Sequence, residues 1–202
     1  MQGESTQAGR RCFFIRLEGC NLNCSYCDTR YAESGGVEKS VDELVQLAVN
    51  SGIPLVEITG GEPLLEKELP ELCRRLLEAG LEVMVETNGS LDVSVIPRGV
   101  RRIIDCKLPG AGMEKHNLYA NFSDLTSLDE VKFVVSSRED FDFAMDVIDR
   151  CDLENSEASL LASPVWGRVS FEELADWVIK SGSRLRMQLQ MHKIIWGDKK
   201  GV

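Results

Sequence analysis

Leu55-Val56-Glu57-Ile58-Thr59-Gly60-Gly61-Glu62-Pro63 is a short β-rich run that stops at a glycine pair. β-Branched residues suit a pleated strand, and Gly-Gly ahead of Pro marks a turn. Taken alone, such a turn is unremarkable. Its neighbours give it meaning. Upstream, residues 12–17 form another strand run, and the loop after it carries Cys20, Cys24 and Cys27 within eight positions. Downstream, strand-like runs alternate with amphipathic helical stretches.

The alternation predicts strands over 12–17, 55–59, 82–87, 102–107, 130–135, 158–162 and 185–190, with helices over 41–49, 69–77, 141–148 and 171–179. Ser40 with Glu43, and Ser170 with Glu173, have the spacing of capping boxes, and Ser137 introduces the third helix. Repeated strand–helix units build a mostly parallel sheet, so the fold class is α/β. In such sheets ligands gather where the strands end. The cysteine loop, Gly60-Gly61, Asn88-Gly89 and Asp105-Cys106-Lys107 all fall there. The long connection between Lys107 and Leu128 is expected to be functional or mobile.

Three thiols at this spacing can hold three irons of a [4Fe–4S] cluster and leave the fourth open to a small molecule. A structural zinc is the competing reading, with Cys12, Cys106 or His192 as fourth ligand, and a binding module acting as scaffold is a further one. Cys12, Cys73, Cys106 and Cys151 stand apart in apolar surroundings and read as buried free thiols, not a disulfide framework. Trp166, Trp177 and Trp196 read as packing residues, and His116 and His192 stay outside the catalytic set. On residue chemistry alone, Arg16 also fits a salt-bridge partner, Glu4 an exposed terminal side chain, Asn88 a turn cap, and Asp105 with Lys107 a local ion pair.

At 202 residues the chain suits a single domain, residues 1–202. A net charge of −10, from 23 basic and 33 acidic side chains, provides no basic field for nucleic-acid phosphates. No apolar run approaches the roughly 20 residues of a membrane span. The first eleven residues lack a secretory signal pattern, so a cytoplasmic location is expected.

The three-cysteine motif followed by Gly60-Gly61-Glu62-Pro63 resembles the radical S-adenosylmethionine superfamily. Within it, Gln2-Gly3-Glu4-Ser5, Cys27-Asp28-Thr29, Thr87-Asn88-Gly89, Asp105 to Pro109 and Gln190 to Trp196 resemble the 7-carboxy-7-deazaguanine synthase family of queuosine biosynthesis. The resemblance implies a shortened, partly open (β/α) barrel. It implies a [4Fe–4S] cluster on Cys20, Cys24 and Cys27, and S-adenosylmethionine on the open iron. Tyr26, Gly60, Gly61, Glu62, Asn88, Asp105 and Lys107 would hold that cofactor. Thr29 would offer an oxygen to Mg²⁺. Gln2, Gly3, Glu4, Arg16, Thr59 and Val202 would hold the pterin substrate.

The implied reaction is a Mg²⁺-dependent lyase step. A 5′-deoxyadenosyl radical takes hydrogen from 6-carboxy-5,6,7,8-tetrahydropterin, the ring contracts, the hydrogen returns and ammonia is lost. A flavodoxin-like reductant and a homodimer are the implied partners. Glycyl-radical activating enzymes share the cysteine motif but commonly place His-Asn where this chain has Asp28-Thr29. Family members also carry roughly ten residues ahead of the Gln-Gly-Glu segment, forming a first strand whose absence would leave an open sheet edge.

Overall fold

The computed structural model describes residues 1–197 and 199. Seven strands form one sheet in strict sequence order, every neighbouring pair parallel: β1 (Phe13–Leu17), β2 (Leu55–Gly60), β3 (Glu82–Thr87), β4 (Arg101–Cys106), β5 (Glu130–Val135), β6 (Ser159–Pro164) and β7 (Arg186–Met187). The barrel is partly open, because β1 pairs with β2 and β7 with β6 but not with each other. Helices α1 (Val41–Asn50), α2 (Leu69–Glu78), α3 (Arg138–Arg150) and α4 (Phe171–Ser181) make four of the six crossovers, the β3–β4 and β4–β5 connections holding only short 3-10 turns, and α5 (Met191–Trp196) closes the described chain.

Alternation along the strands divides the sheet into two unlike faces. Val56, Ile58, Val85, Ile104, Val131 and Phe133 point outward into the main core, where they meet Leu69, Leu72 and Leu76 of α2 and Phe141, Ala144 and Ile148 of α3. Burying each of the larger side chains stabilises the fold by roughly 1.5–3 kcal/mol. The inward face begins with an apolar floor of Cys12, Leu55, Met84 and Ile103, packed by Phe14. One step further along the strands it turns polar, with Glu57, Glu86 and Lys132. Residues 2–10 lie across this face. The backbone N–H and hydroxyl of Thr6 donate to Glu130, and Gln2 donates to Glu57.

Both capping boxes form, and the Ser137 hydroxyl accepts from Asp140 N–H. That cap starts α3 at Arg138, three residues before its apolar stripe begins at Phe141. The last strand is shorter than its apolar pattern suggests. It holds only Arg186 and Met187, because after Gln188 N–H donates to the Ala162 carbonyl the chain turns into α5. The 107–128 connection is pinned, not loose. Asn117 exchanges two hydrogen bonds with the Lys107 backbone, Asn121 donates to the Gly89 and Leu91 carbonyls, and Phe122 is buried.

Cys12, Cys73 and Cys106 are buried and Cys151 half-buried, all as free thiols, and burial pushes Cys12 and Cys73 up to about 12. Trp177 packs on Phe141, but Trp166 and Trp196 are 40% and 38% exposed, so the packing expectation fails for them. Trp166 ends up beside the cavity described below because it follows the carboxyl end of β6.

Asp129 joins β4 to the turn before β5. It accepts from Arg102 at 2.6 and 3.0 Å and from Thr126 N–H at 2.7 Å. Burial alone would raise its pKa, but Arg102 and Thr126 outweigh it and hold the carboxyl below its ordinary value. With the folded value depressed, this stability is complete above the unfolded pKa, about 3.9, and is lost as pH falls through the folded value. Asp129→Asn is therefore expected to lose about 3–5 kcal/mol at neutral pH. Urea titration across pH should also show a shallower acid slope below about pH 4 than in the parent.

Candidate active site

The site is assembled by a backbone contact. Gly60 ends β2 opposite Leu17 of β1, with φ +151°. A Cβ there would stand 2.1 Å from the Leu17 carbonyl oxygen, and one on Gly61 would stand 1.8 Å from that of Gly19. Only glycine admits such an approach. The approach lets Gly61 N–H donate to Leu17 and Glu62 N–H to Gly19, which anchors the start of the cysteine loop. Ser25 donates from its N–H and hydroxyl to Ala111 and Gly110, and the Tyr26 hydroxyl donates to Val134, so the loop spans the carboxyl ends of β1, β4 and β5.

Beneath that loop lies a cavity of ≈ 730 Å³ at the carboxyl ends of the strands. Cys20, Cys24, Cys27, Tyr26, Thr29, Gly60, Gly61, Asn88, Asp105 and Lys107 line its upper part. Gln2, Gly3, Glu4, Arg16 and Thr59 line its floor and side. Glu62 is the exception among the expected cofactor residues. It is fully buried and outside the cavity wall, and it accepts from Thr87 hydroxyl (2.7 Å), Asn88 N–H (2.7 Å) and Leu64 N–H (2.9 Å). Burial pushes its carboxyl up while those donors pull it back. Glu62 thus ties the end of β2 to the end of β3 and acts through position. Val202 lies outside the described residues.

The donors fit an iron–sulfur cluster. Thiolates are soft ligands, and three stand round the mouth. Among the described residues no three Cys, His, Asp or Glu are drawn together into a metal cage. Cys106, one suggested fourth zinc ligand, points into the opposite core. Three thiolates suit a [4Fe–4S] cluster with one open iron, whereas a structural Zn²⁺ needs four protein ligands at about 2.0–2.3 Å. Cys20 Sγ accepts weakly from Leu22 N–H (3.5 Å) and the Asn88 amide (3.8 Å), the kind of contact that tunes cluster sulfurs.

Burial raises Cys24, but Lys107 pulls it back. Burial would likewise lower Lys107, yet Asp105, at 2.8 Å, and Cys24 more than offset it, so the ammonium is held above its ordinary value. Asp105 Oδ1 is buried without a protein partner, an acceptor left for a bound group. Thr29 donates to Asp28 (3.0 Å), which pairs with Lys193 (2.5 Å); these are hard oxygen donors of the kind Mg²⁺ takes.

On the floor, Glu4 is not an exposed terminal side chain. It accepts from Lys132 (3.1 Å) and Gln190 (3.0 Å), which together outweigh burial and lower its pKa. Arg16 stacks over Tyr31 at 5.6 Å, and no carboxylate pairs with it among the described residues. Gly3 packs so tightly on α5 that a Cβ would stand 2.4 Å from His192 Nδ1. Glu57, Glu86 and Lys132 line the cavity without having been singled out from the sequence, and Trp166, Gln190 and His192 line it although no cofactor or substrate role was expected of them. A signal existed for the first three. Strands buried on both faces are near-continuous in apolar residues, so Glu57, Glu86 and Lys132 interrupting such runs mark an inward polar position.

A model of the radical SAM superfamily matches residues 14–178. The 7-carboxy-7-deazaguanine synthase of Koribacter versatilis is 39% identical, covering 100% of this chain and 96% of its own length. That of Methanospirillum hungatei is 41% identical over 96% of this chain and 81% of its own. Among solved structures, Streptococcus suis SuiB bound to a precursor peptide superposes with a TM-score of 0.64 at 12% identity, covering 88% of this chain and 48% of SuiB. That likeness concerns the fold alone.

If Glu62 acts by holding strand ends, its loss is a stability effect visible without any cofactor. Glu62→Gln turns one accepting oxygen into a donor facing donors. Urea unfolding of metal-free protein should register a loss of about 1–3 kcal/mol with an unchanged m-value.

Proposed function

The chain belongs to the radical SAM superfamily and, within it, to the 7-carboxy-7-deazaguanine synthase family, and on that premise we propose that it contracts 6-carboxy-5,6,7,8-tetrahydropterin to 7-carboxy-7-deazaguanine with loss of ammonia. One observation carries the reading furthest. The thiol loop and the residues suited to a pterin carboxylate and its ring amides face each other across one cavity.

When bound, the cluster and S-adenosylmethionine would supply the radical chemistry that moves a hydrogen atom off the substrate and back. The chain's own residues do the rest. Arg16 offers a planar fork to the substrate carboxylate, a geometry Lys lacks. Gln2, Glu4 and Thr59 fix the ring, with Glu4 held ionised by Lys132. Asp105 and Lys107 receive the polar end of S-adenosylmethionine, and Tyr26, anchored through its hydroxyl, lies against the adenosyl side. Walls from β1 to β5 and from the segments after β6 and β7 hold the reacting atoms close, which is the protein's main contribution to such chemistry.

Thr29 is proposed to ligate Mg²⁺, the remaining oxygens coming from substrate and water. The exposure of Cys20 and Cys27 supports electron delivery by a flavodoxin-like reductant. The exposed Leu189, Ile194, Ile195 and Trp196 beside and on α5 support a homodimer. Seven free thiols suit the reducing cytoplasm. No helix among the described residues is long and apolar enough to cross a membrane. The whole chain is taken as one catalytic unit built on its single sheet.

The direct test is an anaerobic assay of reconstituted protein with dithionite, S-adenosylmethionine, Mg²⁺ and the pterin, read by mass spectrometry. 7-Carboxy-7-deazaguanine is the expected product; deoxyadenosine without it would sink the substrate assignment. In the same assay Arg16→Lys should raise the KM for the pterin about 10- to 100-fold, the loss of a charge-assisted bidentate contact, and leave S-adenosylmethionine binding unchanged.

A further inference from the structure

Two carboxyl side chains stand on the polar layer of the inward face with no role yet assigned. Glu57 lies on β2 two residues before Thr59, and Glu86 on β3 two residues before Asn88; both line the cavity. Their surroundings differ. Glu86 accepts from the Lys132 ammonium, which also bonds Glu4. Glu57, only 2% exposed, accepts from the neutral Gln2 amide and hydrogen-bonds Glu86 through its side chain. Around Glu57 stand Gln2 and Glu4 from the amino-terminal segment, Cys12 ahead of β1, Glu86 on β3 and Lys132 on β5. Two carboxyl groups in hydrogen-bond contact share one proton, since the contact needs a donor. Burial first, and Glu86 second, push Glu57 well above the ordinary carboxylate range.

We propose that Glu57 and Glu86 are a proton-sharing pair that moves both protons of the ammonia-losing step. This rests on the function proposed above. In that step the ring-contracted amine loses its C–N bond and a neighbouring C–H bond. The C–H electron pair becomes the new C=C bond, and the C–N pair leaves on nitrogen. Nitrogen must gain a proton to depart as ammonia, and carbon must lose one. Glu57 gives its proton to the leaving nitrogen, and the carboxylate of the pair takes the proton from carbon. The pair holds one proton before and one after, so no outside acid, base or oxidant is needed. Lys132, bonded to Glu86 and to Glu4, is a positioning residue that holds the Glu86 carboxylate in place.

Single-turnover assays on reconstituted protein, with Glu57→Gln and Glu57→Asp, separate this step from radical chemistry. Glu57→Gln should still form deoxyadenosine and consume the pterin. Release of ammonia and deazapurine should fall about 100-fold or more, with a ring-contracted amine accumulating, and Glu57→Asp should recover part of the rate. Infrared spectra of metal-free wild-type protein should show a protonated carboxyl band at neutral pH that is missing in Glu57→Gln. Ammonia release by Glu57→Gln at the wild-type rate would overturn the proposal. So would absence of that band from the wild type, whether or not any variant folds. A wild-type protein that forms deoxyadenosine but no deazapurine would instead remove the function on which the pair's role depends.

Discussion

The close approach of Gly60 and Gly61 to the backbone of Leu17 to Gly19 is the constraint from which the site follows. Two chain segments that meet without side chains between them are held in one register, and the hydrogen bonds across that contact leave little room to slide. The cysteine loop starts where this contact ends. Glu62 extends it sideways by collecting donors from the end of β3 and from the turn after β2, so three loops share one geometry. A larger residue at either glycine would separate β1 from β2 at the point where the thiols are presented.

A second constraint is the division of the sheet into an apolar outer face and a polar inner one. Burying Glu57, Glu86, Lys132 and Asp105 together costs free energy that a stable fold tolerates only when the groups are paired or hydrogen-bonded. Here the cost is offset through Lys132 and Lys107 and through Gln2 and Gln190 from the segments before β1 and after β7. The amino-terminal segment and the residues after β7 therefore complete the interior. The Met191 N–H bond to the Gly3 carbonyl and the contact between Gly3 and His192 hold the two ends together.

Much of this was legible in the chain because it depends on local chemistry. The spacing of Cys20, Cys24 and Cys27 states a ligand set. Ser40, Ser137 and Ser170 cap helices by bonding N–H groups three residues on, and β-branched runs ending in glycine mark strands whose ends carry the site. Where propensity alone was followed, elements came out too long or too short. Residues 185–190 have an apolar strand pattern, yet pairing stops after Gln188 bonds Ala162, because the chain turns away from β6 into α5. The functional reading of Glu62 was legible as a motif, but its part as a latch depends on which donors the fold brings to it.

What the sequence by itself determined was the α/β class, the order of strands and helices, the thiol loop and its glycine partner, since each rests on residues near one another in the chain. Tertiary structure alone decided that Gln2, Glu4, Glu57, Glu86, Lys132 and Gln190 meet in one layer, that Trp166 borders the cavity, and that the 107–128 connection is pinned. Those outcomes depend on strand register and sheet curvature. They arise from non-local contacts whose partners are set by closure of the sheet around a shared interior, which no local pattern records.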